Sequence, residues 1–177
     1  IYDVNSASFK NIDVLSTLKE GKVVASSNPM PKQLIGSPNL SVIGDFYYGN
    51  IDSGKGLYFI YDANKENLKW VEFPEPLQSP KGDFTVMNMN RITVNPQQEK
   101  IVSAMGYYNL LFLYDKNGKL IKTVQLGEKL ISPTIIGDYH ISEDNLICGR
   151  DIESTDNDVY VLMQNVKDKD FEKINNE

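Results

Sequence analysis

Residues 91–126 switch so often between short apolar runs and turn residues that only a tight antiparallel meander accommodates them. Ile92-Thr93-Val94 meets the turn Asn95-Pro96-Gln97-Gln98, and the next run covers 100–105. A break at Gly106-Tyr107-Tyr108-Asn109 precedes Leu110-Leu111-Phe112-Leu113-Tyr114-Asp115. Asn117-Gly118 then favours positive φ, and so a type I′ hairpin turn. The unit closes on 120–126, which alternates in the period of a half-buried strand. Each turn is short enough to force neighbouring strands to pair, which predicts four antiparallel strands in 36 residues.

The unit recurs. Upstream, the runs 40–43 and 46–49 lead to 57–62 and 68–73, and Phe59-Ile60-Tyr61-Asp62 matches Phe112-Leu113-Tyr114-Asp115 at an offset of 53 residues. Downstream, 139–142, 146–149 and 159–163 read as a third copy, with its last strand expected within 170–174. The second strand of each copy ends on a glycine, Gly49, Gly106 and Gly149, at spacings of 57 and 43. Four strands per repeat and a period near 50 fit the larger kind of β-propeller blade. The expectation is an all-β, propeller-like chain with a lead-in over 1–38 and blades over 39–76, 84–127 and 133–175. The alternative is a β-sandwich, which also has many short strands but no reason to repeat one strand-end motif. The best helical candidate is Ile12 to Gly21, with Asn11 or Asp13 as N-cap and Gly21 as stop, although a loop entering a strand fits the same residues nearly as well.

Composition narrows the function classes. In 177 residues, 41% hydrophobic and 10% aromatic content belong to a folded globular chain. A net charge of −6, with Arg91 and Arg150 as the only arginines, argues against nucleic-acid binding, which needs clustered cations. No apolar run approaches the ~20 residues of a membrane span. The chain opens on Ile1 without an initiator Met, so a mature product, a trimmed chain or a fragment is expected, with any targeting segment lying outside it.

Several motif readings fail. Gly49-Asn50-Ile51-Asp52-Ser53-Gly54-Lys55-Gly56 approaches a phosphate-binding loop, but Gly56 occupies the position of the Mg²⁺-binding hydroxyl. A strand, not a helix, follows it. A loop joining two strands is expected instead. His140 is the only histidine and has no Gly-x-Ser-x-Gly elbow to accompany it, so no hydrolase triad can be placed. One His and one Cys cannot close a zinc shell, and Cys148, in the apolar run 146–149, reads as a buried, inert thiol. The acidic stretch 151–158 carries several oxygen ligands but lacks the glycine and terminal Glu of an EF-hand loop, so a solvated loop is expected. Tyr107 and Tyr108, as adjacent exposed tyrosines, could stack on a sugar or peptide or pack against a neighbouring layer. Tyr47 and Tyr48 read as packing residues, and 167–177 as an exposed outer strand with a frayed end. No cofactor or metal is expected.

Ile43-Gly44-Asp45-Phe46 and Ile136-Gly137-Asp138-Tyr139, the stretch 91–100, and Leu113-Tyr114-Asp115-Lys116-Asn117-Gly118-Lys119 together resemble bacterial TolB-like six-bladed propellers over residues 35–165. The resemblance implies a periplasmic or cell-surface protein, often lipid-anchored, serving as a non-catalytic binding or scaffolding module. Its ligand would be a peptide, a glycan or a partner protein. It places the ligand face on the loops between second and third strands and between blades, here Asp52, Lys55, Tyr107, Tyr108, Asn109, Arg150 and Asp151. Six blades would need about 300 residues at this period, so missing blades or a second chain must complete the ring. The competing expectation is a hydrolase or lyase with catalytic groups partly outside this chain.

Overall fold

The computed structural model describes residues 2–3, 8–37, 39–50, 55–77, 89–136 and 140–170. A three-stranded antiparallel sheet comes first, from β1 (Tyr2–Asp3), β2 (Ser8–Ile12) and β3 (Ala25–Pro29). The candidate segment forms a helix, α1 (Val14–Glu20), between β2 and β3. Asp13 caps it by accepting from the Ser16 N–H at 2.9 Å, and Gly21 ends it at φ 67°. Two four-stranded meanders follow. The first is β4 (Asn39–Ile43), β5 (Phe46–Asn50), β6 (Tyr58–Asp62) and β7 (Asn67–Val71); the second is β8 (Asn90–Asn95), β9 (Lys100–Met105), β10 (Leu110–Asp115) and β11 (Leu120–Gln125). Both are ordered as in sequence, every neighbouring pair antiparallel. The chain is therefore predominantly β, as expected.

These layers stack. Met30 and Leu34 pack on Phe59 and Tyr61, covering one face of the first meander. Its other face, through Tyr48, Tyr58 and Ile60, shares a core with Ile92, Ile101, Phe112 and Tyr114 of the second. Tyr58 and Tyr114 meet edge to face at 5.2 Å, an arrangement that aromatic quadrupoles favour. The far face of the second meander, through Val102, Ala104, Leu111 and Leu113, packs on a third layer. Burial on both faces explains why β10 is apolar at every position from Leu110 to Tyr114. By contrast β11, expected to be half buried, is an edge strand with nearly all its side chains exposed.

The third layer departs from expectation. It is a long hairpin, β14 (Leu146–Ser154) and β15 (Val159–Lys167), preceded by a short ladder of β12 (Ile135–Ile136) with β13 (His140–Ile141) that is not bonded to it. The expected fourth strand at 170–174 falls largely outside the described residues; Asp170 lies in a helical turn over 168–170. Gly149 does not end a strand. It lies inside β14 at a register shift, where a Cβ would stand 2.7 Å from the Met105 carbonyl oxygen. Its neighbour Cys148 donates its N–H to the Gly106 carbonyl at 2.7 Å. That glycine answers to a close approach between layers, whereas Gly49 and Gly106 do stand at the ends of second strands.

The turn at Asn117-Gly118 also differs in type. Gly118 has φ 81°, but Asn117 is not in the positive-φ region, and the Gly118 N–H bonds the Asp115 carbonyl at 3.0 Å. This is a three-residue loop with a glycine bulge. Asp115 selects it, because its carboxylate accepts from the N–H groups of Asn117 and Lys119, both at 2.9 Å. The same turn leans on the first meander, where Tyr48 donates to the Lys116 carbonyl at 3.1 Å.

Candidate ligand cleft

β4, β8 and β14 each lead their layer, and β4 and β8 are edge strands of their sheets. Side-chain bonds fix how they lie. Asn50 Nδ2 donates to the Asn90 carbonyl at 2.8 Å, so β8 starts beside the end of the first meander where β4 also starts. At the other end Ser154 Oγ donates to the Val94 carbonyl at 2.8 Å and stands 3.1 Å from Thr93 Oγ1. Asn95 Nδ2 reaches the carbonyls of Thr155 and Asp156 at 2.8 and 2.9 Å. The three leading strands thus run alongside one another in one direction, and residues 39–42, 91–94 and 151–153 enclose an open cleft of about 370 Å³.

Strand geometry dictates what faces this cleft. Because alternate residues of an edge strand turn their N–H and C=O away from the sheet, Asn90, Ile92 and Val94 point theirs outward. The Asn90 and Val94 carbonyls are capped, as above, while Ile92, between them, lines the cleft. Arg91 is half buried, and among the described residues its guanidinium has no ion-pair partner. On the next strand, Asp151 Oδ1 accepts from the Ile152 N–H at 2.9 Å, and Glu153 Oε1 from the Ser154 N–H at 3.2 Å. Both carboxylates are held by the backbone but unneutralised by any ion pair among the described residues.

The residues named from sequence divide. Asp151 lines the cleft, and exposed Arg150 adjoins it. Lys55 is exposed and Asp52 lies outside the described residues. Of the two readings of Tyr107 and Tyr108, packing is the one the structure shows, and the ligand-face reading is not: they are 6% and 7% exposed, packed into the layers. Tyr107 donates to Asp168 Oδ2 at 3.2 Å; burial and the Asp168 charge push its hydroxyl up to about 12, against the pull of Arg150. Asn109 is 2% exposed, and its amide serves the chain itself. Nδ2 donates to the carbonyls of Leu126 at 2.5 Å and Lys129 at 2.9 Å, and Oδ1 accepts from the Ile131 N–H at 2.7 Å.

The acidic stretch is not wholly a loop either, since 151–154 belong to β14 and only the turn at 155–158 leaves it. Among the described residues no group of three His, Cys, Asp or Glu side chains is placed to hold a metal ion. Cys148 is fully buried, as expected, and burial pushes its thiol up to about 11. His140 lies on β13 opposite Ile136. Arg91, Ser41 and Thr93 line the cleft from within strands whose apolar pattern marks them in the sequence as core, not as site. A charged residue opening the apolar run 92–94 was the available signal. No described helix is long and apolar enough to cross a membrane. No protein-family description matches the chain, and no curated protein is similar enough to stand as a relative.

Proposed function

We propose that the chain is a run of β-propeller blades serving as a non-catalytic binding or scaffolding module of the bacterial envelope, periplasmic or at the cell surface. The observation that carries this reading is the cleft walled by the leading strands of three successive layers. Stacked meanders whose first strands run alongside one another line a central channel in a propeller. A sandwich has two layers, whereas here the second meander is packed on both faces. Ligands of such modules sit where the layers converge, so the ligand (a peptide, a glycan or a partner protein's segment) belongs in the cleft between β4, β8 and β14. Further blades or a second chain complete the ring.

The test is an array of peptides and bacterial envelope glycans, probed with the wild-type chain and with Val42→Trp. Val42 lines the cleft and is 45% exposed, so a larger side chain plugs the space without disturbing the core. Binding reduced about tenfold or more in a variant of unchanged melting temperature supports the reading. Binding that survives the plug, or an array without signal, overturns it.

A further inference from the structure

We propose that the chain associates head to tail with a second copy of itself, the hairpin tip at 13–24 of one copy resting on the outer face of β14 and β15 of the next. The inference is independent of the ligand cleft. It stands on two exposed patches of matched chemistry.

The tip is built inside out. It joins β2 to β3, between the paired residues Ile12 and Ala25. A helix of 7 residues is too short to persist in water by itself, and polar bonds rather than packing hold α1. Asp13 and Gly21 cap its ends, the Asp13 N–H donates to the Val24 carbonyl at 2.9 Å, and Thr17 Oγ1 accepts from the Val24 N–H at 2.9 Å. Ser16 and Thr17 are accordingly half buried, and no α1 side chain is fully buried. Val14, Leu15, Leu18 and the nearby Val23 stand between 62% and 81% exposed. Val14 and Leu15 each neighbour Leu18 on the helix surface, which makes one preformed apolar knuckle. Such a cluster marks a contact.

Charge selects the partner. Residues 10–24 hold Lys10, Lys19 and Lys22 against Asp13 and Glu20, three cations to two anions in a chain of net charge −6. The Asp13 carboxylate is taken up by Ser16, and Glu20 pairs with Lys22 at 3.3 Å. Lys19 has no ion-pair partner among the described residues. The outer face of the hairpin has the opposite sign. Exposed Tyr160 and Leu162 lie across the ladder from Glu153 and Asp151, and the turn beside them carries exposed Asp156 and Asp158. Only Arg150 offsets these four acids between 150 and 162, and none of the four is in an ion pair among the described residues. Tip on tip would set Lys19 against its twin, and face on face would oppose the carboxylates. Tip on face joins apolar to apolar and cation to anion. An anionic lipid surface is a poorer match, because one net cation attracts it weakly while the acidic chain is repelled. Both patches are exposed, so they do not cover each other within one chain. β3 runs directly into Met30, which packs on the outer side of the first meander. The contact therefore adds a copy in the sense in which the layers of one chain already follow one another.

Sedimentation velocity on the full chain tests this with a tip variant, Leu15→Ser with Leu18→Ser, and a face variant, Tyr160→Ser with Leu162→Ser. All four side chains are exposed, so both variants should melt where the wild type does. The wild type should pass beyond the dimer as concentration rises, because a head-to-tail contact leaves one patch open at each end. Each variant alone should stay monomeric where the wild type associates. Their equimolar mixture should stop at a one-to-one dimer, in which the intact tip of one meets the intact face of the other. Lys19→Glu should weaken wild-type association about fivefold, and Asp156→Lys with Asp158→Lys by a similar factor. All three changes in one chain should recover most of that loss. A tip variant that associates as the wild type does, or a mixture that stays monomeric, overturns the pairing. So does a wild-type chain that stays monomeric throughout. If that chain instead floats with phosphatidylglycerol vesicles and the tip variant does not, the knuckle faces a membrane and the second copy is ruled out.

Discussion

At the residue scale, the side chains that look most like a binding surface in the sequence turn out to hold the chain together. Asn109 follows two tyrosines in a loop, and nothing local distinguishes a recognition amide from a structural one. Only the fold reveals that the segment 126–131 returns past it and exchanges three hydrogen bonds with its amide, two accepted from Nδ2 and one given to Oδ1. Asn109→Ala should therefore destabilise the chain by about 1–3 kcal/mol, the cost of stranding those backbone groups, in urea unfolding. A cost under about 0.5 kcal/mol would show that the segment is held otherwise. Burial of Cys148 and Tyr107 gives a pH dependence at this scale. Each has its folded pKa raised, from 9.0 to about 11 and from 10.0 to about 12, so each holds its proton more tightly when folded. Their contribution is fully present below the unfolded values and is lost as pH rises through the folded ones. Stability should hold to about pH 9 and fall first through the thiol between 9 and 11. From about 10 it should fall further through the buried phenols, Tyr107 and Tyr48 both raised to about 12 and Tyr58, Tyr108 and Tyr114 raised by the same burial. Urea midpoints across pH 7–11.5 test this, and Cys148→Ala should delay the onset by about one unit. An onset that does not move removes the thiol from the account. That Cys148 is buried was readable from its apolar neighbours; that Tyr107 is buried was not, because a tyrosine pair reads alike in a core and on a rim.

Elements were legible where local chemistry alone decides them. β9 and β10 have the boundaries read from sequence, since Asn95-Pro96 and Gly106 bracket runs that only a strand accommodates. Turn type and strand length were less legible, because both depend on groups elsewhere. Asp115 converts the expected two-residue turn at Asn117-Gly118 into a three-residue one. Gly149 looked like a strand end because Gly49 and Gly106 are; its reason is the Met105 carbonyl 2.7 Å from where a Cβ would be, contributed by another layer. Two substitutions separate these causes. Gly118→Ala meets a positive φ of 81° and Val71 Cγ2 at 2.5 Å, and should cost about 2 kcal/mol or more. Gly149→Ala has no φ penalty and should cost about 1–3 kcal/mol by steric pressure alone. Its effect should also be local. Hydrogen exchange should quicken along β14 and β15, where the hairpin is pushed from the second meander, and leave the first meander protected. Uniform loss of protection would mean that the layers unfold as one unit and that the close approach is not where the hairpin is secured.

For the whole molecule, stacking direction decides more than strand count. Sequence periodicity suggested three equal blades, but the third layer is a two-stranded hairpin, and its inequality has a consequence. In β14 and β15 the inward side chains Ile152 and Val161 pack on the second meander. The opposite face pairs Glu153 with Tyr160 and Asp151 with Leu162, and Tyr160 and Leu162 are 60% and 61% exposed. Among the described residues the other faces from the first meander onward are covered, by a neighbouring sheet or, on the outer side of the first meander, by Met30 and Leu34. If the chain is part of a propeller, this face meets the next blade, and the cleft beside it gains its remaining wall from the same contact. The 177-residue chain should then associate with itself as concentration rises, through the exposed Tyr160 and Leu162 on a sheet face that no layer of this chain covers among the described residues. Sedimentation velocity across a hundredfold concentration range measures this directly. Tyr160→Ser with Leu162→Ser, which leaves Ile152 and Val161 in place, should return the chain to a monomer with an unchanged melting temperature. Wild-type chain that stays monomeric throughout, or association that the double variant leaves untouched, sets this face aside as the joint. The repeat would then be an open stack whose cleft is walled on one side by solvent, and affinity for any ligand held there would be expected to stay weak.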